Sequence, residues 1–340
     1  MRWNQLLLSP FSLAYRAVTD FRNHLFDIGY KKSFQFDVPV IGVGNLTVGG
    51  TGKTPMVEYL VRLLANREKV VTLSRGYGRK TKGFRVVGEG DSPETVGDEP
   101  FQMFEKFSGK VTVTVGEERS VAIPIILHEF EETSTIILDD AFQHRYVSPS
   151  LNIMLTDYGR PFWEDYVLPA GRLRESRKGA GRADIVVVTK CPGELSEAEM
   201  ATMERNVKEY AGSETPVCFT TIGYVEPVSM SGSDGELTGP VALVSGLGNA
   251  EPFERYAKGR FEVAANFRFG DHHKYSEKDG EKIASAGLDV LTTEKDSVKL
   301  SDLSALSGVS LYYLPIETRF LKGESIFVKL VEETLEKYKK

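Results

Sequence analysis

The chain of 340 residues is long enough for about two domains, each with its own hydrophobic core. Its content of 41% hydrophobic and 26% charged residues is typical of a globular protein, and the formal net charge of -6 argues against a general nucleic-acid binder. Cys191 and Cys218, the two cysteines, exclude a disulfide framework and a cysteine zinc site, so a reducing, cytoplasmic compartment is expected.

The segment 1–30 predicts an amphipathic helix. Phe11, Val18 and Phe21 recur at helical spacing among other apolar residues, and basic residues flank them. Such a helix can lie in a membrane interface, with its apolar face among acyl chains and its cations near anionic head groups. It can equally pack on the protein core, because both arrangements need the same apolar stripe. The sequence has no apolar run of the roughly 18 to 20 residues that a membrane-spanning helix needs.

The stretch 40–54, VIGVGNLTVGGTGKT, predicts a buried strand, a phosphate-binding loop (P-loop) and the start of a helix. Lys53 would supply a positive charge to the phosphate oxygens, and Thr54 a hydroxyl to Mg²⁺. Thr47 stands where the usual pattern, G-x-x-x-x-G-K-[ST], has its first glycine. The predicted nucleotide-binding residues are Thr47, Val48, Gly49, Gly50, Thr51, Gly52, Lys53 and Thr54.

Two short motifs follow the predicted P-loop helix. An apolar run at 70–73 predicts a strand that leads into the basic, glycine-containing loop SRGYGRK, at the ligand edge of a parallel sheet. GDEP, at 97–100, precedes an apolar helical pattern, and proline with acidic residues at this point is typical of a helix start. From the sequence pattern alone, Asp98 is best interpreted as the cap of that helix.

The run TIILDD, at 135–140, predicts a Walker B strand. Asp139 and Asp140 end an apolar, β-branched strand, and either aspartate could contact Mg²⁺ directly or through water. Further along, the loop at 166–182 carries Arg172, Arg174 and three other basic residues. We expect this loop to bind an anionic group rather than to be only a solvated surface.

Short apolar runs alternate with helical patterns, which predicts an α/β fold with a doubly wound, mostly parallel sheet of the P-loop NTPase class. Glycine, serine, proline and acidic residues gather at 213–239 and predict a linker, beyond which further apolar runs predict a second, smaller α/β domain. We therefore place a P-loop domain at 1–222 and the smaller domain, with the linker, at 223–322. The last helix, at 323–340, is expected to pack back on the first domain.

Seven segments occur in order along most of the chain: GNLTVGGTGKTP, SRGYGRK, GDEP, DDAFQH, LPAGRLRE, GDHH at 270–273 and TTEKD at 292–296. Together they closely resemble the tetraacyldisaccharide 4'-kinase family, the lipid A 4'-kinases of Gram-negative bacteria. Thr47 agrees with that family, whereas DDAFQH has Ala-Phe where a pair such as Gly-Leu is expected. The resemblance implies transfer of the γ-phosphate of ATP to the 4'-hydroxyl of a tetraacyldisaccharide 1-phosphate, which forms lipid IVA.

The resemblance also implies roles for individual residues. Asp98 would be the base that accepts the proton of the sugar hydroxyl, and His272, in preference to His273, would orient it. ATP and Mg²⁺ are the implied cofactors, and Glu175 joins Thr54, Asp139 and Asp140 as a candidate metal ligand. The remaining candidates are Asn45, Tyr77 and His144 for the sugars, Arg172 and Arg174 for the 1-phosphate, and Lys190 for the nucleotide base.

We expect a monomer with a lipid disaccharide substrate, no nucleic-acid partner, and peripheral attachment to the cytoplasmic face of the inner membrane through its first helix. Two other functions stay open: a P-loop kinase or ligase for a soluble metabolite, and an ATP-dependent switch that regulates a membrane-associated partner. The amphipathic first helix argues against the former, and the latter leaves GDEP and GDHH without a role.

Overall fold

The computed structural model describes residues 3–230, 237–270 and 273–339. The chain divides into two compact units, one formed by Met1–Ile222 with Thr318–Lys340 and the other by Gly223–Glu317. The strands of the described residues are β1 (Val40–Asn45), β2 (Val70–Ser74), β3 (Arg85–Val86), β4 (Thr112–Val115), β5 (Thr135–Asp139), β6 (Leu151–Asp157), β7 (Ile185–Thr189), β8 (Val217–Tyr224), β9 (Val228–Ser229), β10 (Val241–Ser245), β11 (Val263–Arg268), β12 (Asp289–Thr293), β13 (Leu311–Leu314) and β14 (Ile316–Lys322).

The helices of the same residues are α1 (Trp3–Asp27), α2 (Lys53–Leu64), α3 (Pro93–Val96), α4 (Asp98–Phe107), α5 (Arg119–Glu129), α6 (Glu197–Ala211), α7 (Glu251–Arg260), α8 (Glu277–Ala284), α9 (Glu294–Ser301) and α10 (Glu324–Glu336). Short 3₁₀ helices occur at Phe162–Glu164, Arg177–Arg182 and Ser304–Leu306. Over this part of the chain, no helix combines the length and the apolar content that crossing a bilayer requires.

The larger sheet has nine strands within the described residues, in the order β14-β8-β7-β6-β1-β5-β2-β4-β3. From β8 to β4 the neighbouring strands pair in parallel, whereas the edge strand β3 pairs antiparallel with β4. In parallel sheets both faces are covered, which matches the uninterrupted burial of β1, β5 and β7. The predicted fold class, a mostly parallel α/β sheet of the P-loop type, is confirmed.

The position of β1 in the middle of this sheet brings several strand ends together. Val43 is in register with Asp139 of β5, and at the end of the neighbouring pair Asp157 of β6 is in register with Thr189 of β7. All four strands are parallel, so their carboxyl ends lie at one edge of the sheet. Ligands of open α/β sheets bind at this edge.

Helices α2 and α10 pack against the same core. The buried residues of α2 recur at helical spacing, as at Met56, Leu60 and Leu64, and belong to one hydrophobic cluster with Phe327 and Val331 of α10. The last helix of the chain is therefore part of the larger unit, and full burial of a side chain such as Phe327 contributes about 1.5–3 kcal/mol.

The segment 213–239, which the composition predicts as a linker, contains the eight residues of β8. Their sequence, VCFTTIGY, is largely buried and adds a strand to the larger sheet. The glycine and serine content of the flanking residues hides this short apolar run when composition is averaged over the segment.

The smaller unit is built on a second sheet, in the order β11-β10-β12-β13-β9. Strands β11, β10, β12 and β13 are parallel neighbours, and β9 pairs antiparallel with β13. Strand β10, between β11 and β12, is fully buried. Ala242 and Val244 belong to one hydrophobic cluster and Val241 and Leu243 to another, so both faces of this strand are covered.

Candidate active site

Two residues with positive φ shape the loop between β1 and α2. Gly49 has a φ of 108°, and Gly52, immediately before the first residue of α2, has a φ of 80°. Residues with a Cβ rarely adopt such angles, so glycine is required at both positions. Because α2 begins at Lys53, the loop ends in the unpaired N–H groups of a helix start, which favour a bound phosphate.

The backbone of Thr47 does not have the positive φ that would require a glycine. Among the described non-glycine residues, positive φ angles occur at Asp140 and Lys190. Thr47 instead forms an antiparallel β-bridge with Leu173. The backbone at the first position of the motif is therefore extended, which a threonine readily adopts. Its contact with a nucleotide stays a prediction.

Residues at the ends of β1 and β7 hold the loop. Asn45, which is fully buried at the end of β1, donates from Nδ2 to Thr51 Oγ1 at 2.7 Å. The hydroxyl of Thr189, at the end of β7, donates to the carbonyl oxygen of Thr51 at 2.8 Å. These contacts give Asn45 a place behind the loop, where it supports the loop's conformation.

Lys190 follows Thr189 with a φ of 57°. Its amino group donates to the carbonyl of Gly50 and forms an ion pair of 2.9 Å with Asp157 at the end of β6. Lys190 thus links the loop to the neighbouring strand ends. Its predicted contact with a nucleotide base stays a prediction.

Asp140 lies between two cations. Lys53 Nζ is 3.5 Å from Asp140 Oδ1, and Arg174 Nη1 donates to Oδ1 and Oδ2 at 3.1 and 2.8 Å. Burial by itself would raise the pKa of Asp140, but Lys53 and Arg174 outweigh it and lower the pKa below its usual value. Asp140 is therefore ionised at neutral pH.

Asp139 lies in a different environment although it is the adjacent residue. It is only 9% exposed, and burial, together with the negative charge of Glu99, raises its pKa to about 7. Lys53 opposes this shift. A buried carboxylate that is repelled by a second carboxylate is the electrostatic environment that a bound cation would stabilise.

The GDEP motif lies against the Walker B strand. Glu99 lines the same cavity as Thr54 and Asp139. Asp98 is the first residue of α4, and Gly97 occupies the cap position. Glu99 is not among the site residues predicted from the sequence, and the only sequence signal for it is its place beside Asp98 in the motif.

Two glycines bring the SRGYGRK loop against GDEP. Gly97 has a φ of 99°, and a Cβ on it would lie 3.0 Å from the carbonyl oxygen of Tyr77. A Cβ on Gly76 would lie 2.7 Å from the carbonyl oxygen of Val96. Only glycine permits this approach of the two backbones. The side chain of Tyr77 is 84% exposed beside it, and its predicted contact with the sugars stays a prediction.

The basic loop is hydrogen-bonded to the residues that precede the P-loop glycines. The N–H of Val48 donates to the carbonyl of Arg172, and the N–H of Arg174 donates to the carbonyl of Leu46, both at 2.8 Å. Arg172 Nη1 lies 3.8 Å from the position that a Cβ would take on Gly49. The two arginines predicted for the 1-phosphate therefore flank the predicted nucleotide site.

His144 lies in the turns that follow β5. Burial, and then the positive charge of Arg119, lowers its pKa to about 4, so its imidazole is neutral at neutral pH. Arg119 is 2% exposed and donates to the carbonyls of Asp139 and Gly116 at 3.1 and 2.9 Å. Arg119 is not among the residues predicted from the sequence, because an arginine in the first turn of a helix gives no sign of burial.

Glu175 differs from the other candidate metal ligands. It is 2% exposed, and its carboxylate accepts hydrogen bonds from Asn23, Gln143 and Arg182. Its predicted contact with Mg²⁺ stays a prediction.

Of the two histidines in GDHH, His272 lies outside the described residues. The ring of His273 stacks on Phe269, with 4.6 Å between the ring centroids, and its Nε2 is 3.2 Å from Asp279 Oδ2. His273 thus has aromatic and polar partners within its own unit. The predicted pairing of Asp98 with His272 stays a prediction.

Within residues 3–230, 237–270 and 273–339, no three His, Cys, Asp or Glu side chains are grouped as a metal site. Thr54 and Asp139, which line one cavity, are hard oxygen donors. Mg²⁺ typically takes one or two carboxylates together with water and phosphate oxygens. This donor set therefore fits Mg²⁺ bound together with a nucleotide.

The family model described as tetraacyldisaccharide-1-P 4'-kinase matches residues 4–336. The chain belongs to this family. The tetraacyldisaccharide 4'-kinase of Flavobacterium johnsoniae is 42% identical, over 97% of this chain and 98% of that protein. The corresponding protein of Cytophaga hutchinsonii is 38% identical, over 96% and 95%.

Among solved structures, that of LpxK from Aquifex aeolicus in complex with ATP is similar to this chain with a TM-score of 0.78 and 32% sequence identity. The match covers 97% of this chain and 99% of that chain. The family predicted from the seven segments is thereby confirmed, as is the prediction that the protein is a kinase. A nucleotide switch without phosphoryl transfer is not favoured.

Proposed function

We propose that this protein transfers the γ-phosphoryl group of ATP to the 4'-hydroxyl of a tetraacyldisaccharide 1-phosphate and so forms lipid IVA. The observation that carries this proposal is that the carboxylate of Asp140 contacts both Lys53 of the P-loop and Arg174 of the basic loop. A nucleotide site and a site for a second anion therefore adjoin each other. The curated relatives named tetraacyldisaccharide 4'-kinase and the ATP complex of the Aquifex aeolicus protein support the same reaction.

The P-loop forms the donor half of the site. Phosphoryl transfer depends on alignment of the reacting groups and on neutralisation of the charge on the phosphates. Lys53 and the N–H groups at the start of α2 supply that neutralisation. Thr54 and Asp139 would hold Mg²⁺, which when bound neutralises charge on the phosphate oxygens. Asp140, whose two oxygens contact Lys53 and Arg174, would act on the cation through water.

Asp98 supplies the base of the acceptor half. A sugar hydroxyl has a pKa far above neutrality, so its attack on phosphorus needs a proton acceptor nearby. Asp98 begins α4, and the next residue, Glu99, lines the cavity that contains Thr54 and Asp139. The base is therefore attached to an element that lies against the predicted metal residues. The role of His272 in orienting Asp98 rests on the family resemblance.

Arg172 and Arg174 would bind the 1-phosphate of the acceptor, because guanidinium groups form strong, directional hydrogen bonds with phosphate. Tyr77 and His144 would contact the sugars, whereas Asn45, which is fully buried behind the loop, would act only through the loop's conformation. Since His144 is neutral, its ring nitrogens provide one donor and one acceptor.

Helix α1 supports attachment to a lipid surface. Its large apolar side chains are unusually exposed: Leu7 by 73%, Phe11 by 67%, Leu13 by 65%, Val18 by 69% and Phe21 by 63%. A row of such side chains on one helix fits the boundary between lipid head groups and acyl chains. We therefore infer peripheral association of the protein with the cytoplasmic face of the inner membrane.

A cavity of about 440 Å³ lies between α1 and the basic loop. Leu13, Val167 and Leu173 contribute apolar surface to it, and Arg16 and Lys178 contribute cations. This combination suits an acyl chain attached to a phosphorylated sugar.

The direct test is transfer of ³²P from [γ-³²P]ATP in the presence of Mg²⁺. Tetraacyldisaccharide 1-phosphate in detergent micelles is compared with soluble glucosamine 1-phosphate as acceptor. The proposal predicts a labelled lipid, no label on the soluble sugar and no transfer in excess EDTA. Label on the soluble sugar would instead indicate a metabolite kinase, and label only in inorganic phosphate would indicate a nucleotide switch.

A further inference from the structure

Both oxygens of the Glu175 carboxylate accept hydrogen bonds from the protein. Oε2 accepts from Asn23 Nδ2 at 2.6 Å, and Oε1 accepts from Gln143 Nε2 at 3.0 Å and from Arg182 Nη2 at 2.9 Å. Gly179 packs so closely that a Cβ on it would lie 3.0 Å from Oε2. Three separate parts of the chain thus meet at one buried carboxylate.

Gln143 connects this carboxylate to the phosphoryl-transfer site. Its Nε2 also donates to the carbonyl of Asn45 at 2.9 Å, immediately before the P-loop. Its Oε1 accepts from Arg174 Nη1 at 3.1 Å, and the same nitrogen of Arg174 donates to Asp140. The orientation of Arg174 therefore depends on Gln143, which Glu175 holds from the other side.

Asn23 and its neighbour connect the same carboxylate to α1. Asn23 belongs to this helix, and the adjacent Arg22 donates from Nη2 to the carbonyl of Gln143 at 2.9 Å. A continuous set of hydrogen bonds thus runs from α1 through Glu175 and Gln143 to Arg174.

We propose that Glu175 is a positioning residue that couples α1 to the phosphoryl-transfer site, and that it is not a ligand of Mg²⁺. A metal ligand must direct a lone pair at the cation, whereas Oε1 of Glu175 accepts two hydrogen bonds, one of them from a guanidinium, and Oε2 accepts one and lies against Gly179. This inference rests on the proposed function. It gives the helix with the exposed apolar residues a fixed connection to Arg174, a predicted ligand of the acceptor.

Two substitutions of Glu175 distinguish the positioning role from metal binding. In Glu175→Gln, the amide oxygen can still accept from Gln143 and Arg182, and the amide nitrogen faces Asn23. Asn23 Oδ1 is buried without a hydrogen-bond partner in the described structure, so rotation of the Asn23 amide lets it accept this bond. Glu175→Gln therefore keeps the connection and loses the charge, whereas Glu175→Ala loses both.

For a positioning residue, Glu175→Ala should raise the KM for the lipid acceptor about tenfold or more, with the KM for ATP and the Mg²⁺ requirement unchanged. Glu175→Gln should restore the acceptor KM to within about threefold of the wild-type value. If Glu175 were a metal ligand, both variants would need a much higher Mg²⁺ concentration for half-maximal activity, and Glu175→Gln would not restore it. That result would overturn the proposal.

Amide hydrogen exchange of α1 provides a readout that does not depend on turnover. Glu175→Ala and Asn23→Ala should each speed exchange in Trp3–Asp27, and Asn23→Ala should add little in the Glu175→Ala background, because both remove one connection. Asp27→Asn is the matched control: it breaks a second α1 contact, the 2.7 Å ion pair with Arg145, in which Asp27 is 59% exposed. It should leave exchange and the acceptor KM unchanged.

Unaltered exchange and an unaltered acceptor KM in both alanine variants would refute the coupling. If Glu175→Ala fails to fold, as a thermal unfolding curve would show, Asn23→Ala and Glu175→Gln still decide between the two roles. Failure of the wild-type protein to phosphorylate the lipid would refute the proposed function. The exchange results would then still test the coupling of α1 to Glu175.

Discussion

The guanidinium of Arg174 donates to both carboxylate oxygens of Asp140, at 3.1 and 2.8 Å, although 34 positions separate the two residues. Lys53 approaches the same carboxylate to 3.5 Å. Asp140 therefore keeps two cations in place that would otherwise repel each other, one from the predicted donor half and one from the predicted acceptor half of the site. The following predictions test this site and its surroundings.

Lys53→Ala should lower kcat by about 10³-fold or more, because no other P-loop side chain supplies a positive charge to the transferred phosphate. The measurement is ³²P transfer to the lipid acceptor at saturating ATP. Lys69→Ala is the control, since the Lys69 side chain is 69% exposed and pairs with Glu132 at the surface. Turnover of Lys53→Ala within tenfold of the wild-type value would contradict the assignment.

Asp98→Asn should lower kcat by about 10²–10⁴-fold while ATP binding, measured by calorimetry, stays unchanged. Glu99→Gln is the matched comparison from the same helix turn. Because Glu99 faces Thr54 and Asp139, this variant should raise the Mg²⁺ concentration needed for half-maximal activity and should retain measurable turnover. Near-normal kcat in Asp98→Asn would exclude it as the base.

Gly97→Ala should destabilise the fold by about 1–3 kcal/mol and lower activity, because the new Cβ combines a strained φ with a contact of 3.0 Å to the Tyr77 carbonyl. Gly90→Ala is a close control: Gly90 has a φ of 91°, but nothing lies within 4 Å of a Cβ there. The difference between the two unfolding free energies isolates the close approach of the two loops. Equal values would mean that this approach contributes nothing.

His144 should make stability fall as the pH is lowered. Its folded-state pKa, about 4, lies below the ordinary histidine value of 6.5, so between these values the unfolded chain binds a proton that the folded chain does not. This contribution to stability is present above pH 6.5 and is lost as the pH falls towards 4. Denaturant unfolding of wild type and His144→Gln at pH 7 and pH 5 should show a smaller loss in the variant. An identical loss would refute the burial of a neutral His144.

The double substitution Phe11→Asp and Val18→Asp should reduce sedimentation of the protein with vesicles that contain anionic lipid. Insertion of the apolar side chains into the interface is favourable, whereas insertion of an aspartate would require desolvation of its charge. Both are more than half exposed on α1, at 67% and 69%, so the fold should tolerate the change. Val121→Asp, at a position that is 53% exposed on α5, serves as the control. Equal sedimentation of all three proteins would leave α1 without a role at the membrane.

The local features of this protein follow from contiguous residues. The P-loop is a single stretch, in which Gly49 and Gly52 permit the positive φ angles and α2 begins at Lys53. For the same reason, apolar runs predicted β1, β5 and β7, and the ordered motifs were enough to predict the family. Averaged composition was a weaker guide, since it hid β8 inside a predicted linker.

Contacts between distant residues were decided by the order of strands in the sheet. Because β1 lies between β6 and β5, the segments that follow these strands converge, and Arg174 reaches Asp140 while Gln143 reaches Glu175. No spacing in the sequence encodes these distances. Burial also depends on the tertiary structure. It lowers the pKa of His144, and the buried guanidinium of Arg119 donates to the carbonyl of Asp139. The sequence by itself therefore determined which chemical groups are present and where the predicted phosphate-binding loop lies. Only the tertiary structure decided which of those groups form ion pairs or hydrogen bonds and whose pKa values are shifted, because these depend on contacts between distant residues.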